Sequence, residues 1–169
     1  MSKNVLVIGT GTIGEPLIGL LAEHKESLGL DKVIFFKRTP LSEERGKVEA
    51  LIRKGAEIVS TNDAISEFLQ LGFNETKDVE LAYEEADVII DCTPSGNDNW
   101  ETVYSSLSQD KRFLAQGSEH GFGPFFAWGI NNEILKDESN KFLIASCNTH
   151  NIASIVKAFA LDQQRDLLE

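Results

Sequence analysis

The sequence predicts an α/β fold, a doubly wound and mostly parallel sheet of Rossmann type with helices on both faces. Three observations carry that expectation. In the first, the four apolar residues Val5, Leu6, Val7 and Ile8 run straight into Gly9-x-Gly11-x-x-Gly14. An unbroken apolar run of this length reads as a strand buried on both faces, as in a parallel sheet. In the second, Leu17, Ile18, Leu20 and Leu21 follow at helical spacing, and the apolar run Val33-Ile34-Phe35-Phe36 comes next at the distance a crossover needs. The third is the later run Asp87-Val88-Ile89-Ile90-Asp91-Cys92, which breaks into Thr93-Pro94-Ser95-Gly96.

Each glycine of the first turn has its own task. Gly9 permits the tight turn out of the strand, Gly11 lets a pyrophosphate approach the backbone, and Gly14 lets the helix lie close to the sheet. The free N–H groups and positive dipole end of that helix then face the phosphates. The bland alternative is a purely structural glycine turn. The helix is expected over 15–28, stopped by Gly29, with the second strand over 32–36. A carboxylate at the tip of that strand takes the ribose hydroxyls of NAD, whereas basic or hydroxyl groups accept the 2′-phosphate of NADP. Here the tip reads Lys37-Arg38-Thr39 and the nearest upstream acid, Asp31, stands at the wrong end. NADP is therefore preferred over NAD, with Lys37, Arg38 and Thr39 as phosphate ligands; a solvated basic turn is the alternative.

A helix is expected after Ser42, a plausible N-cap, ending near Gly55. Short apolar Ile58-Val59, an amphipathic helix over 63–71 closed by Gly72, and an acidic helix over 80–85 follow. This middle reads as an irregular insertion in the doubly wound pattern. Ligands of such sheets lie beyond the carboxyl ends of the strands, so Thr93, Pro94 and Ser95 should line the cofactor trough. Cys92 reads as a small buried hydrophobe. Then come a helix over 100–107, a strand over 113–115 with Gln116-Gly117-Ser118 as its end loop, a glycine- and aromatic-rich loop over 121–129, a short helix or turn over 130–135, a last strand over 141–146 and a helix over 152–168.

Composition narrows the function class. The chain has 169 residues, about one domain's worth, and 41% hydrophobic residues, ordinary for a soluble protein. A formal charge of −11 argues against nucleic acid or an anionic membrane as a partner, although a few local donors suffice for a phosphorylated ligand. No stretch approaches the ~18 apolar residues of a membrane span, and no charged-then-apolar leader is visible, so a cytoplasmic protein is expected. Cys92 and Cys147 have neither metal-ligand spacing nor the density of a disulfide scaffold; both are expected reduced, and no metal is expected.

Cys147 directly follows the last strand, and Asn148 and Thr149 are good helix-starting residues. It therefore stands at or beside a helix N-cap, where unpaired N–H groups lower a thiol's pKa and hold an oxyanion. That is what a cysteine needs to attack a carbonyl; a structural cysteine is the alternative on position alone.

Ser146-Cys147-Asn148-Thr149 resembles the active-site segment of the archaeal type of phosphorylating glyceraldehyde-3-phosphate dehydrogenase. The order of the other motifs is similar too: Gly9-Thr10-Gly11-Thr12-Ile13-Gly14, Lys37-Arg38-Thr39, Asp91-Cys92-Thr93-Pro94-Ser95-Gly96, Gln116-Gly117 and then the cysteine. The resemblance covers nearly the whole chain. It implies that Cys147 attacks the aldehyde, that hydride passes to the nicotinamide, and that inorganic phosphate releases the acyl group from the thioester. It also implies that Gly11, Thr12 and Ile13 cradle the pyrophosphate, that Gln116 and Gly117 join the cofactor-binding set, and that Asn148 and Thr149 bind the substrate phosphate or the oxyanion. The partners implied are a phosphorylated aldehyde and inorganic phosphate.

The chain departs from that family in length. Members run to about twice its size, with a catalytic domain that supplies a histidine base. The expected division is a cofactor-binding domain over 1–146 and, over 147–169, the active-site cysteine and the helix that begins a catalytic domain otherwise absent. The chain is thus read as the cofactor-binding part of such an enzyme or as a short homologue. The apolar face of its last helix would be covered by a catalytic domain, fold back on the sheet, or pair two chains into a homo-oligomer. His24, His120 and His150 are weak substitutes for the base, and Asn151 stands where relatives carry glycine. Rival readings are an aspartate-semialdehyde dehydrogenase or acyl-phosphate reductase, and a non-catalytic nucleotide-binding module.

Overall fold

The structure, a computed structural model, describes residues 2–94, 96, 98–116, 121–136 and 138–160. Eight strands form one all-parallel sheet: β1 (Lys3–Ile8), β2 (Leu30–Phe36), β3 (Glu57–Ser60), β4 (Lys77–Asp78), β5 (Val88–Asp91), β6 (Arg112–Gln116), β7 (Phe125–Phe126) and β8 (Lys141–Ile144), in the spatial order β4-β3-β2-β1-β5-β6-β8-β7. The helices are α1 (Gly14–Glu23), α2 (Arg45–Arg53), α3 (Ile65–Gln70), α4 (Val79–Glu85), α5 (Asn99–Thr102) and α6 (Cys147–Phe159). The chain leaves β1 toward one edge and returns to β5 on its other side. The strand order therefore reverses between β1 and β5, the place where such sheets open a crevice.

Alternation along each strand feeds two cores. Val5, Val7, Val33, Phe35 and Ile58 pack with Ile18 of α1, Val48 and Leu51 of α2 and Phe68 of α3. Leu6, Ile8, Ile34, Val59 and Ile89 pack on the other face with Val79, Ala82 and Tyr83 of α4, Tyr104 and Phe122. The doubly wound α/β expectation therefore holds, and each fully buried aliphatic or aromatic side chain contributes about 1.5–3 kcal/mol.

Several boundaries differ from the sequence reading. α1 stops at Glu23 rather than 28, because 24–28 bury nothing apolar, their one apolar residue, Leu28, being exposed. They form turns, closed by the Leu30 amide on the Lys25 carbonyl (2.9 Å), with Gly29 in the left-handed region at φ 67°. The stretch 57–85 is no insertion: β3 and β4 extend the same sheet, since Ile58 and Val59 are buried on opposite faces. The loop over 121–129 includes β7, held on β8 because the Leu143 amide donates to the Pro124 carbonyl and the Ala145 amide to that of Phe126, each at 2.9 Å. The helix over 100–107 splits into α5 and a 3₁₀ turn, Tyr104–Ser106. α6 begins at Cys147, five residues before the expected start, and is described to Phe159.

Candidate functional site

A cleft of about 480 Å³ opens beyond the carboxyl ends of β1, β2, β3 and β5. Ile8, Gly9 and Thr10 line it from β1, Phe36, Lys37, Arg38 and Thr39 from β2, and Thr61 from β3. Thr93, Pro94, Asn99 and Val103 close it from the β5 side, and Val79, Glu80 and Tyr83 from α4. A second cleft of similar size, about 530 Å³, lies between α2 and the segment 72–75; none of the candidate site residues lines it.

The turn between β1 and α1 carries two glycines that the chain itself demands and one that it does not. Gly9 has φ 98°, and a Cβ there would stand 3.1 Å from the Cys92 carbonyl. At Gly14 a Cβ would stand 1.9 Å from the Gly9 carbonyl oxygen, so α1 lies on the turn only because that atom is missing. At Gly11 a Cβ would meet nothing within 4 Å. Thr12 and Ile13 are exposed beside it, and no side chain caps the first turn of α1. An open glycine at an uncapped helix start has the form of an anion cradle, with backbone donors directed outward and space for a phosphate to approach.

The basic tip divides into two parts. Arg38 and Thr39 are exposed on the cleft, and Arg38 has no ion-pair partner among the described residues. Lys37 is buried: its amide donates to the Val59 carbonyl (3.0 Å), its carbonyl accepts the Ser60 hydroxyl (2.7 Å), and its ammonium pairs with Glu44. That hydrogen bond from Lys37 holds the Glu44 carboxyl below the usual carboxylate range.

The β5 end is built on Asp91, which is buried. Its Oδ1 accepts the Thr93 amide (2.8 Å) and hydroxyl (2.6 Å), and its Oδ2 accepts the Asn99 amide group and the Tyr104 hydroxyl, each at 2.8 Å. A buried carboxylate with four donors among the described residues fixes the wall that Thr93 and Asn99 form. Gln116 reaches across to donate to the Cys92 carbonyl at 2.9 Å. Burial pushes the Cys92 thiol up to about 11 and the Tyr83 hydroxyl up to about 12, with Asp91 adding to both and Glu80 to Tyr83. Sequence reasoning missed Asp91, Asn99, Tyr83 and Glu44 as site residues. Asp91 alone carried a signal, as an acid closing a buried strand.

Cys147 is exposed and occupies the first helical position of α6. Ser146 is the N-cap; its hydroxyl accepts the Thr149 amide (3.2 Å) and lies 2.9 Å from the Thr149 hydroxyl. The cleft lining does not include Cys147, Asn148 or Thr149. β8 is the third strand from β1, about 14 Å away at normal strand spacing. His150 faces the Trp128 carbonyl at 2.9 Å through Nε2, and His24 is exposed at the end of α1. Ser95, Gly117 and His120 lie outside the described residues.

No protein-family profile matches the chain. It is 28% identical over 158 residues to a protein of Sulfurisphaera tokodaii named glyceraldehyde-3-phosphate dehydrogenase, and 30% identical over 152 residues to one of the same name in Methanobacterium formicicum. These matches take in 90% and 87% of this chain but 42% of each relative, so the chain spans about two fifths of the length of the curated relatives it matches. Among solved structures, aspartate semialdehyde dehydrogenase II of Vibrio cholerae superposes with a TM-score of 0.57 at 13% identity, over 93% of this chain and 46% of that one, a likeness of fold. No helix among the described residues is long and apolar enough to cross a membrane.

Proposed function

We propose that the chain is the dinucleotide-binding part of a cysteine-dependent, phosphorylating aldehyde dehydrogenase of the glyceraldehyde-3-phosphate type, with NADP preferred over NAD. The observation that carries this reading is the crevice at the β1/β5 switch point, lined by Gly9 and Thr10, with open space at Gly11 next to them at an uncapped helix start. The similarity in sequence to the two curated dehydrogenases, over nine-tenths of the chain, supports the reaction class.

The backbone of Gly11, Thr12 and Ile13 would hold the pyrophosphate, and Arg38 and Thr39 would receive a 2′-phosphate. Thr93 and Pro94 would form the opposite wall, with the hydrogen bonds of Thr93, Asn99 and Tyr104 to Asp91 keeping that wall in place. The nicotinamide supplies a hydride acceptor when bound. Cys147 stands beyond β8, on the side of the crevice away from Arg38. In the proposed reaction the Cys147 thiol gives its proton to water as its sulfur bonds to the aldehyde carbon, the hydride of that carbon would go to the nicotinamide, and inorganic phosphate then displaces the sulfur from the thioester as a thiolate that takes a proton back from water. Asn148 and the start of α6 would hold the oxyanion or the substrate phosphate; the Thr149 amide is already engaged with Ser146.

A non-catalytic nucleotide-binding module is the second reading. It is favoured by the absence of Cys147 from the cleft lining and by the engagement of His150 with the Trp128 carbonyl. A coupled assay tests the two. Phosphate-dependent NADPH formation from glyceraldehyde 3-phosphate, abolished by Cys147→Ser with nucleotide affinity retained, supports the dehydrogenase. Nucleotide binding without turnover fits both readings, and iodoacetamide then separates them: a Cys147 thiol alkylated far faster than free cysteine at neutral pH supports the dehydrogenase part, and one that is not supports the module. Turnover that survives Cys147→Ser removes the thioester chemistry.

A further inference from the structure

The tip of β2 carries an acid after all. The 3₁₀ turn Ser42–Glu44 folds back, with the Glu44 amide on the Leu41 carbonyl at 3.1 Å, and brings Glu44 against Lys37. The side chain of Lys37 is 8% exposed and that of Glu44 28%, so the carboxylate is the more accessible of the two. Both line a small pocket that reaches Thr10, and Lys37 also lines the main cleft. The charge facing a nucleotide ribose at this tip is therefore a balance: Arg38 and Lys37, which line the main cleft, favour a 2′-phosphate, and Glu44, behind Lys37 on the small pocket, offsets the charge of Lys37. Lys47, on the same small pocket and 3.6 Å from Glu15, adds a weaker positive charge near Glu44.

We propose that Glu44 sets the cofactor preference of this chain: by holding the Lys37 ammonium it withholds one positive charge from a 2′-phosphate, and so keeps the site open to both NAD and NADP. This rests on the dinucleotide reading above. Glu44 acts on NADP through Lys37 and is in that respect a positioning residue.

The test is titration calorimetry with NAD and with NADP on the wild-type chain, Glu44→Gln, Lys37→Met and the double variant. Freeing Lys37 in Glu44→Gln should move the ratio of the two dissociation constants about tenfold toward NADP, the size of one charge-assisted hydrogen bond. The same substitution on the Lys37→Met background should move it less than about threefold, because the partner is gone. A ratio that stays within about twofold in Glu44→Gln, or that shifts equally with and without Lys37, overturns the proposal while leaving the nucleotide site standing. Wild-type protein that binds neither nucleotide overturns the dinucleotide reading itself. If Glu44→Gln loses its fold, Glu44→Asp replaces it, since the shorter acid weakens the pair and should shift the ratio in the same direction; no shift there also overturns the proposal.

Discussion

At Gly14 an added Cβ would stand 1.9 Å from the Gly9 carbonyl oxygen, whereas at Gly11 it would meet nothing within 4 Å. Gly14→Ala should therefore destabilise the fold by about 1–3 kcal/mol in denaturant titration, as overpacking does. Gly11→Ala should leave stability within about 0.5 kcal/mol. It should nevertheless weaken nucleotide binding at least about tenfold, because the methyl group fills the phosphate approach. The two cysteines also separate. Cys147 is exposed, while burial pushes the Cys92 thiol up to about 11. At pH 8 Ellman's reagent should modify one thiol quickly and the other only after unfolding, and Cys147→Ser should remove the fast phase. At this scale the glycine roles were legible because each follows from its place in a strand–turn–helix. Glu44 was not, because its approach to Lys37 depends on a 3₁₀ turn that carries the chain back across seven residues. Nor were the donors of Asp91, which come from positions 93, 99 and 104 on a wall that only tertiary packing closes.

The strands were the most readable elements, since buried parallel strands print as continuous apolar runs. The weak ones, β4 and β7, have two residues each and no periodicity of their own; neighbouring strands define them. Helix ends were less readable. α1 ends where its apolar face ends, before its glycine, and α6 starts at Cys147 because the Ser146 hydroxyl caps it. Ser146→Ala should cost α6 about 1 kcal/mol, seen as faster hydrogen exchange over its first turn. The fit of the β5 wall to the sheet depends on Phe113 of β6, fully buried with its ring 5.3 Å from that of Trp100 and 5.7 Å from that of Tyr104. Phe113→Ala should cost about 3–5 kcal/mol in thermal or denaturant unfolding.

For the molecule as a whole, the buried phenols and thiol set an alkaline limit. Tyr83 and Cys92 hold their protons up to about 12 and about 11, above the values they have in an unfolded chain, and Tyr104, buried on Asp91, is also raised. Their contribution to stability is complete below the unfolded-state values, from about 8.5 for Cys to about 10 for Tyr, and declines as pH rises through the folded ones. The unfolding midpoint should therefore fall from about pH 9 upward, together with a rise in phenolate absorbance at 295 nm. The sheet order has a consequence in time. Val5 pairs with Val33 on one side and with Val88 on the other. During synthesis β1 to β4 can assemble in the order in which they leave the ribosome, while the other edge of β1 stays bare until β5 emerges. The crevice between β1 and β5 consequently forms only once β5 has joined β1, so a refolding chain should regain the helical signal of α1 to α3 before it regains any capacity to bind a nucleotide.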